Sequence, residues 1–114
     1  MIKNLTPHAI NIVDQDGNII KTIKSVDGYS PIRIPKDTVD TNITILGIPL
    51  VRKVVKIDEV QLPAPEDGVT FLVSGLVLDF VKKHTTRTDF VAPDTDRAVR
   101  NDKGHIVGVP ALEF

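Results

Sequence analysis

The stretch from Leu62 to His84 limits the folds open to this chain more than any other. Pro63 and Pro65 bar helix and regular sheet locally, and Glu66-Asp67-Gly68 is turn chemistry. Val69 to Val73 is then apolar at nearly every position, the pattern of a short strand buried on both faces. From Ser74 the spacing changes. Leu76 and Phe80 sit four apart, as do Val77 and Val81, which makes a helical stripe. Ser74 fits an N-cap, and Lys82, Lys83 and His84 place positive charge where a helix C-terminus favours it. The reading is a buried strand feeding a helix of about three turns, with Val69 to Val73, Leu76, Phe80 and Val81 as core. The β-branched content of the second half leaves a strand reading open there.

The flanking sequence is strand and turn. Ile2 to Pro7 suits an edge strand ended by Pro7. Ile10 to Val13 and Asn18 to Ile23 are β-branched runs around Asp14-Gln-Asp-Gly17, a hairpin signal. Pro31-Ile-Arg-Ile-Pro35 reads as a short edge strand, and the polar Lys36 to Thr41 as loop. Ile43 and Ile45 alternate with Thr44 before a turn or bulge at Gly47-Ile-Pro-Leu50. Leu50 to Ile57 is a β-branched strand, continued in extended form by Asp58 to Leu62. Asp89 to Ala92 is a short strand. Ala98 to Arg100 and His105 to Val109, around Asn101-Asp-Lys-Gly104, form a second hairpin. The predicted fold is therefore α+β and β-rich. It is a compact single domain over residues 1–114, with about six to eight short, mostly antiparallel strands, two hairpins and one short helix.

Composition matters mainly for what it excludes. The 114 residues carry fourteen basic and fifteen acidic side chains, so no strongly basic face for nucleic acid is expected. Tyr29 and four phenylalanines are the only aromatics, and Phe71 and Phe80 are wanted in the core, which leaves little for stacking on bases. The absence of cysteine rules out disulfides, zinc–thiolate sites and thiol nucleophiles. Neither a signal-peptide h-region nor an apolar run long enough to span a bilayer is present, so a cytoplasmic protein without membrane contact is expected.

The polar residues point to binding more than to catalysis. His8, His84 and His105 stand apart without metal-ligand spacing, so no metal and no cofactor is expected. Ser74 lacks the flanking glycines of a nucleophile elbow, since Leu72 and Leu76 stand there, and no catalytic residue is assigned. If Ser74-Gly75 opens a helix, its free N–H groups and dipole suit an anion. Arg87, Arg97 and Arg100 follow within a short region, and guanidinium is suited to bidentate phosphate contacts.

Asn4-Leu-Thr-Pro-His8, Leu62-Pro-x-Pro with Gly68-Val-x-Phe-x-Val-Ser74, Arg87-x-Asp89, Pro93-Asp-Thr95 and Val99-Arg100 with Gly104-x-Ile-x-Gly-Val109 together form a pattern. In it the chain resembles a family of small proteins encoded by phages, prophages and bacteria. The resemblance covers most of the chain, with residues 20–45 contributing little. Asp96 departs from the family pattern, in which Gly commonly follows Pro-Asp-Thr. The family brings no established activity. By analogy of size and context, the resemblance implies an oligomeric sponge that binds a nucleotide immune signal without cleaving it, in the cytoplasm of a bacterial host.

The expectation is a homo-oligomeric protein that captures a small anionic, nucleotide-like ligand. Arg87, Arg97 and Arg100 would meet phosphate, Ser74 and Gly75 would donate to it, and Asn4, Thr6, His8 and Asp89 would line the remainder. Two alternatives stand beside it. One is an enzyme on a nucleotide or phosphorylated substrate, with His8 as acid or base. The other is a structural or partner-binding phage protein without a small-molecule site.

Overall fold

The computed structural model describes residues 1–28 and 30–114, so Tyr29, counted above among the stacking aromatics, lies outside the described residues. In chain order the elements are β1 (Ile2–Asn4), β2 (Ile10–Val13), β3 (Ile19–Ile23), β4 (Lys36–Ile45), β5 (Ile48–Val55), β6 (Thr70–Leu72), α1 (Gly75–His84), β7 (Phe90–Pro93), β8 (Val99–Arg100), β9 (Ile106–Gly108) and β10 (Leu112–Glu113). Short 3-10 turns occupy Ile57–Glu59 and Thr95–Arg97. The fold is α+β and β-rich, as anticipated. Contacts divide it into two units, Met1–Pro31 with Ala64–Phe114, and Ile32–Pro63.

The first unit is built on the apolar run. β6 lies between two parallel neighbours, β1 and β7, in a sheet ordered β1-β6-β7-β10 whose last pair is antiparallel. A strand flanked on both edges and covered on both faces has no solvent side. Accordingly Phe71, Leu72 and Val73 are all buried. Parallel neighbours need a crossover, and α1 supplies it between β6 and β7. Val77 N–H donates to Ser74 Oγ at 3.3 Å, the N-cap expected from the sequence, and the last turn holds Lys82, Lys83 and His84.

Val77, Leu78, Phe80 and Val81 form the buried stripe of α1, whereas Leu76 is 59% exposed. Leu76 is thus not core. At 3.6 residues per turn it lies roughly 120° round from the centre of the stripe. Behind the helix, the Phe71 and Phe90 rings sit 5.5 Å apart.

Both hairpins foreseen from turn chemistry form, β2–β3 and β8–β9. Asp14 Oδ1 accepts from the N–H groups of Asn18 and Asp16, and Gly17 takes φ +81°. The Asn18 N–H foremost holds the Asp14 carboxyl below its ordinary value. Asn101 does the equivalent in the other turn, with Oδ1 accepting from Lys103 and His105. The hairpins meet where Val109 N–H donates to the Asn11 carbonyl at 2.9 Å and Val13 N–H to the Val109 carbonyl at 3.0 Å.

The second unit corrects the reading of residues 36–41 as loop. They are strand, paired along β4–β5 from Lys36 opposite Val55 to Ile45 opposite Ile48, with a bulge between Asp40 and Ile43. Polarity misleads here because both strands are largely exposed, so no apolar alternation is required. This ribbon is a third hairpin, and among the described residues ten strands stand against an expected six to eight. Residues 31–35 carry no strand assignment, and Ile57–Glu59 turns in 3-10 form where extended chain was read.

The ribbon tip has positive φ at both Leu46 (+53°) and Gly47 (+77°), the signature of a type I′ turn. Leucine has no local hydrogen bond to offset that conformation and is 95% exposed. Leu46→Asn is therefore expected to stabilise the ribbon by about 1 kcal/mol, read as slower amide exchange in β4 and β5.

Candidate functional site

The Asn4-Leu-Thr-Pro-His8 motif folds into a knot around Asn4, a fully buried side chain. Its amide donates to the carbonyls of His8 and Ile23, both at 2.9 Å. Its Oδ1 accepts from Thr6 N–H at 2.9 Å and lies 2.6 Å from Thr6 Oγ1, which is also 2.9 Å from the His8 carbonyl. Ser25 Oγ donates to the Thr6 carbonyl. Val26 N–H closes onto the Asn4 carbonyl, and Leu5 N–H onto that of Leu72. Asn4, Thr6 and His8 are thus brought together, but the knot joins the ends of β1 and β3 through the backbone of His8. The His8 imidazole is exposed, and no hydrogen bond or ion pair to either of its nitrogens occurs among the described residues.

The remaining expected residues each have local partners. Ser74 caps α1, and at Gly75 an added Cβ would meet nothing within 4 Å, so no close approach explains a glycine there. The Arg87 guanidinium forks onto Asp89, Nε to Oδ1 at 2.9 Å and Nη2 to Oδ2 at 2.8 Å, while lying 4.9 Å over the Phe90 ring. Arg97 Nε donates to Asp94 Oδ2 at 2.6 Å, and Arg100 Nη1 donates to the Gly104 carbonyl at 2.8 Å.

The Arg87 pair gives the fold a pH dependence. Hydrogen bonding from Arg87 holds the Asp89 carboxyl below its ordinary 3.8. A lowered carboxyl stabilises the fold above its unfolded-state value and loses that contribution as pH falls through the folded one. Asp89→Asn is expected to cost about 1 kcal/mol at neutral pH. Its unfolding free energy should converge with that of the wild type in acid, as read from denaturant midpoints across pH.

One concave feature involves an expected residue. A groove of about 330 Å³ is lined by residues 8–11, by Pro93 and Thr95, and by residues 106–109. Asn11 is held in place, its Nδ2 donating to the Val107 carbonyl and its Oδ1 accepting from Thr22. The lining is mostly apolar, with His8, Asn11 and Thr95 as the polar groups. Sequence reasoning singled out His8 but missed Asn11 and Thr95. The signal available was that all three sit beside hairpin or turn residues.

Among the described residues no group of three or more His, Asp or Glu side chains could hold a metal ion. Nor is any helix among them long and apolar enough to cross a membrane. No family model, no curated protein and no solved structure matches the chain.

Proposed function

We propose that this chain is a non-catalytic binding protein that holds a small nucleotide-like ligand in the His8 groove and releases it unchanged. The observation that carries the reading is the groove itself, a concavity lined by Ile10, Pro93, Ile106 and Val109 together with His8, whose exposed imidazole has no partner among the described residues. Its volume of about 330 Å³ lies at the low end for small-molecule sites, a fit for one ring system rather than a whole dinucleotide. Apolar walls take the faces of a planar ring, and His8, Asn11 and Thr95 supply polar contacts.

Anion capture by arginine would fall to Arg97. It lies two residues beyond Thr95, and a phosphate at that edge would compete with Asp94 for it. Binding is favoured over chemistry because the carboxylates of Asp14 and Asp89 are engaged in turn hydrogen bonds and an ion pair. By the resemblance of its Asn4–His8 and Gly68–Ser74 motifs to those of small phage and bacterial proteins, the role proposed is that of a sponge in a host cytoplasm.

The test is calorimetry and thermal shift with nucleosides, mononucleotides, cyclic dinucleotides and ADP-ribose, with mass analysis of recovered ligand. The expected result is saturable binding of a mononucleotide recovered intact, weakened at least roughly tenfold, or 1.4 kcal/mol, by His8→Ala and by the groove-filling Ala9→Trp. Altered ligand would establish an enzyme instead. Binding untouched by Ala9→Trp would remove the groove as the site. A partner-binding protein is the second reading, favoured by the second unit, in which no residue is buried.

A further inference from the structure

The second unit, Ile32–Pro63, consists of the β4–β5 ribbon, its flanking chain and one 3-10 turn. It has no buried residue, yet it holds Val39, Ile43, Ile45, Leu46, Ile48, Val51, Val54 and Ile57 among the exposed large hydrophobics. A two-stranded ribbon without a covered face is marginal in water, and further strands are the usual remedy. Among the described residues β4 and β5 pair with no other strand, so both edges are open.

The two edges differ in kind. β5 carries Pro49, which lacks an N–H, and the adjacent bases Arg52 and Lys53 with no acid. Pairing it with a second β5 would set base beside base on a blunted edge. β4 has the opposite character. Lys56 N–H donates to the Pro35 carbonyl at 2.9 Å, which makes 35 and 56 a hydrogen-bonded pair. By alternation along the register, the backbone groups of Asp37 and Val39 face β5 and those of Lys36, Thr38 and Asp40 face outward.

An antiparallel partner centred on Thr38 sets Lys36 opposite Asp40, Thr38 opposite Thr38, and Asp40 opposite Lys36. The neighbouring register, centred on residue 37, sets Asp37 against itself. The free segment is also bounded. Pro35 ends it on one side and the bulge after Asp40 on the other. Lys36 makes no ion pair among the described residues, and only Oδ1 of Asp40 is engaged, by Asn42 N–H at 2.8 Å.

We propose that β4 pairs antiparallel with β4 of a second copy of this chain about a two-fold axis at Thr38, giving a four-stranded β5-β4-β4-β5 sheet closed by two Lys36–Asp40 ion pairs. Directly opposed opposite charges and a Thr–Thr pair favour this register, and the Asp37–Asp37 opposition disfavours the neighbouring one. An isologous contact of this kind closes at the dimer. It goes beyond the ligand reading and does not depend on it.

Sedimentation across a concentration series tests the pairing. The wild type is expected to be a dimer. Lys36→Glu and Asp40→Lys are each expected to weaken it roughly tenfold or more. An equimolar mixture of the two variants restores all four opposed charges, so it is expected to form a heterodimer. As a second measurement, the chain has no cysteine, so Thr38→Cys introduces one thiol. Across the axis the two Cα atoms would lie about 5.5 Å apart, within disulfide reach, so mild oxidation should give a covalent dimer while Thr44→Cys should not. A wild-type monomer at all concentrations, dimers indifferent to charge reversal, or no heterodimer in the mixture would overturn the proposal.

Discussion

Asn4→Ala is expected to lower the unfolding free energy by about 3–5 kcal/mol, the largest loss from any single polar substitution in this chain. The side chain is fully buried and serves four groups: the carbonyls of His8 and Ile23, the Thr6 N–H and the Thr6 hydroxyl. Truncation leaves at least two backbone groups buried without partners, at about 1–3 kcal/mol each. The shape of the loss separates this mechanism from a simple cavity. Asn4→Asp keeps the volume and the acceptor but replaces an amide donor by an anion facing two carbonyls, so it should be as damaging as Asn4→Ala at neutral pH and should recover in acid. Equilibrium urea unfolding of both variants checks this. Equal, small losses would mean that the knot contributes little.

Gly108→Ala is the second large effect. A Cβ at this position would stand 2.7 Å from the Asn11 carbonyl oxygen and 2.7 Å from Val13 Cγ1. The first contact is with backbone, which cannot swing aside as a side chain tip can. The Asn11 carbonyl also accepts the Val109 N–H, so relieving the clash opens the seam between β2 and β9. Overpacking costs typically about 1–3 kcal/mol and a lost backbone bond about another 1 kcal/mol, so a total of about 2–4 kcal/mol is expected. Urea unfolding of Gly108→Ala beside the wild type checks this.

These two residues also mark what the sequence could convey. Turns carried by a single residue type were legible: Asp14 and Gly17 in one hairpin, Asn101 and Gly104 in the other, and Ser74 at the start of α1. Each is a local hydrogen bond or a dihedral that sequence spacing encodes. The strand run at residues 69–73 was equally legible, because a strand buried on both faces needs apolar residues at successive positions.

Partners distant in the chain were not. Nothing in Ile2–Asn4 states that it will lie parallel to Thr70–Leu72. Residues 36–41 of β4 read as loop because pairing with β5 rather than burial makes them strand. Asn4 and Thr6 read as lining a site because they are polar motif residues at a strand start, and Arg87 as meeting phosphate because it carries a guanidinium. Polarity does not distinguish a group facing a ligand from one tying two backbone segments together, and all three have internal partners here.

The order of the central sheet carries a consequence for how the chain acquires its structure. β2–β3, β4–β5 and β8–β9 each close through a short turn, and such hairpins form within about 1–10 μs. β1 is different, since its partner β6 begins only at Thr70 and β6 in turn needs β7 at Phe90. At ribosomal speeds of about 5–20 residues per second, β1 and the buried amide of Asn4 are without their β6 neighbour for several seconds. Hairpins should therefore gain protection early in pulse-labelled refolding, and the β1–β6 amides last.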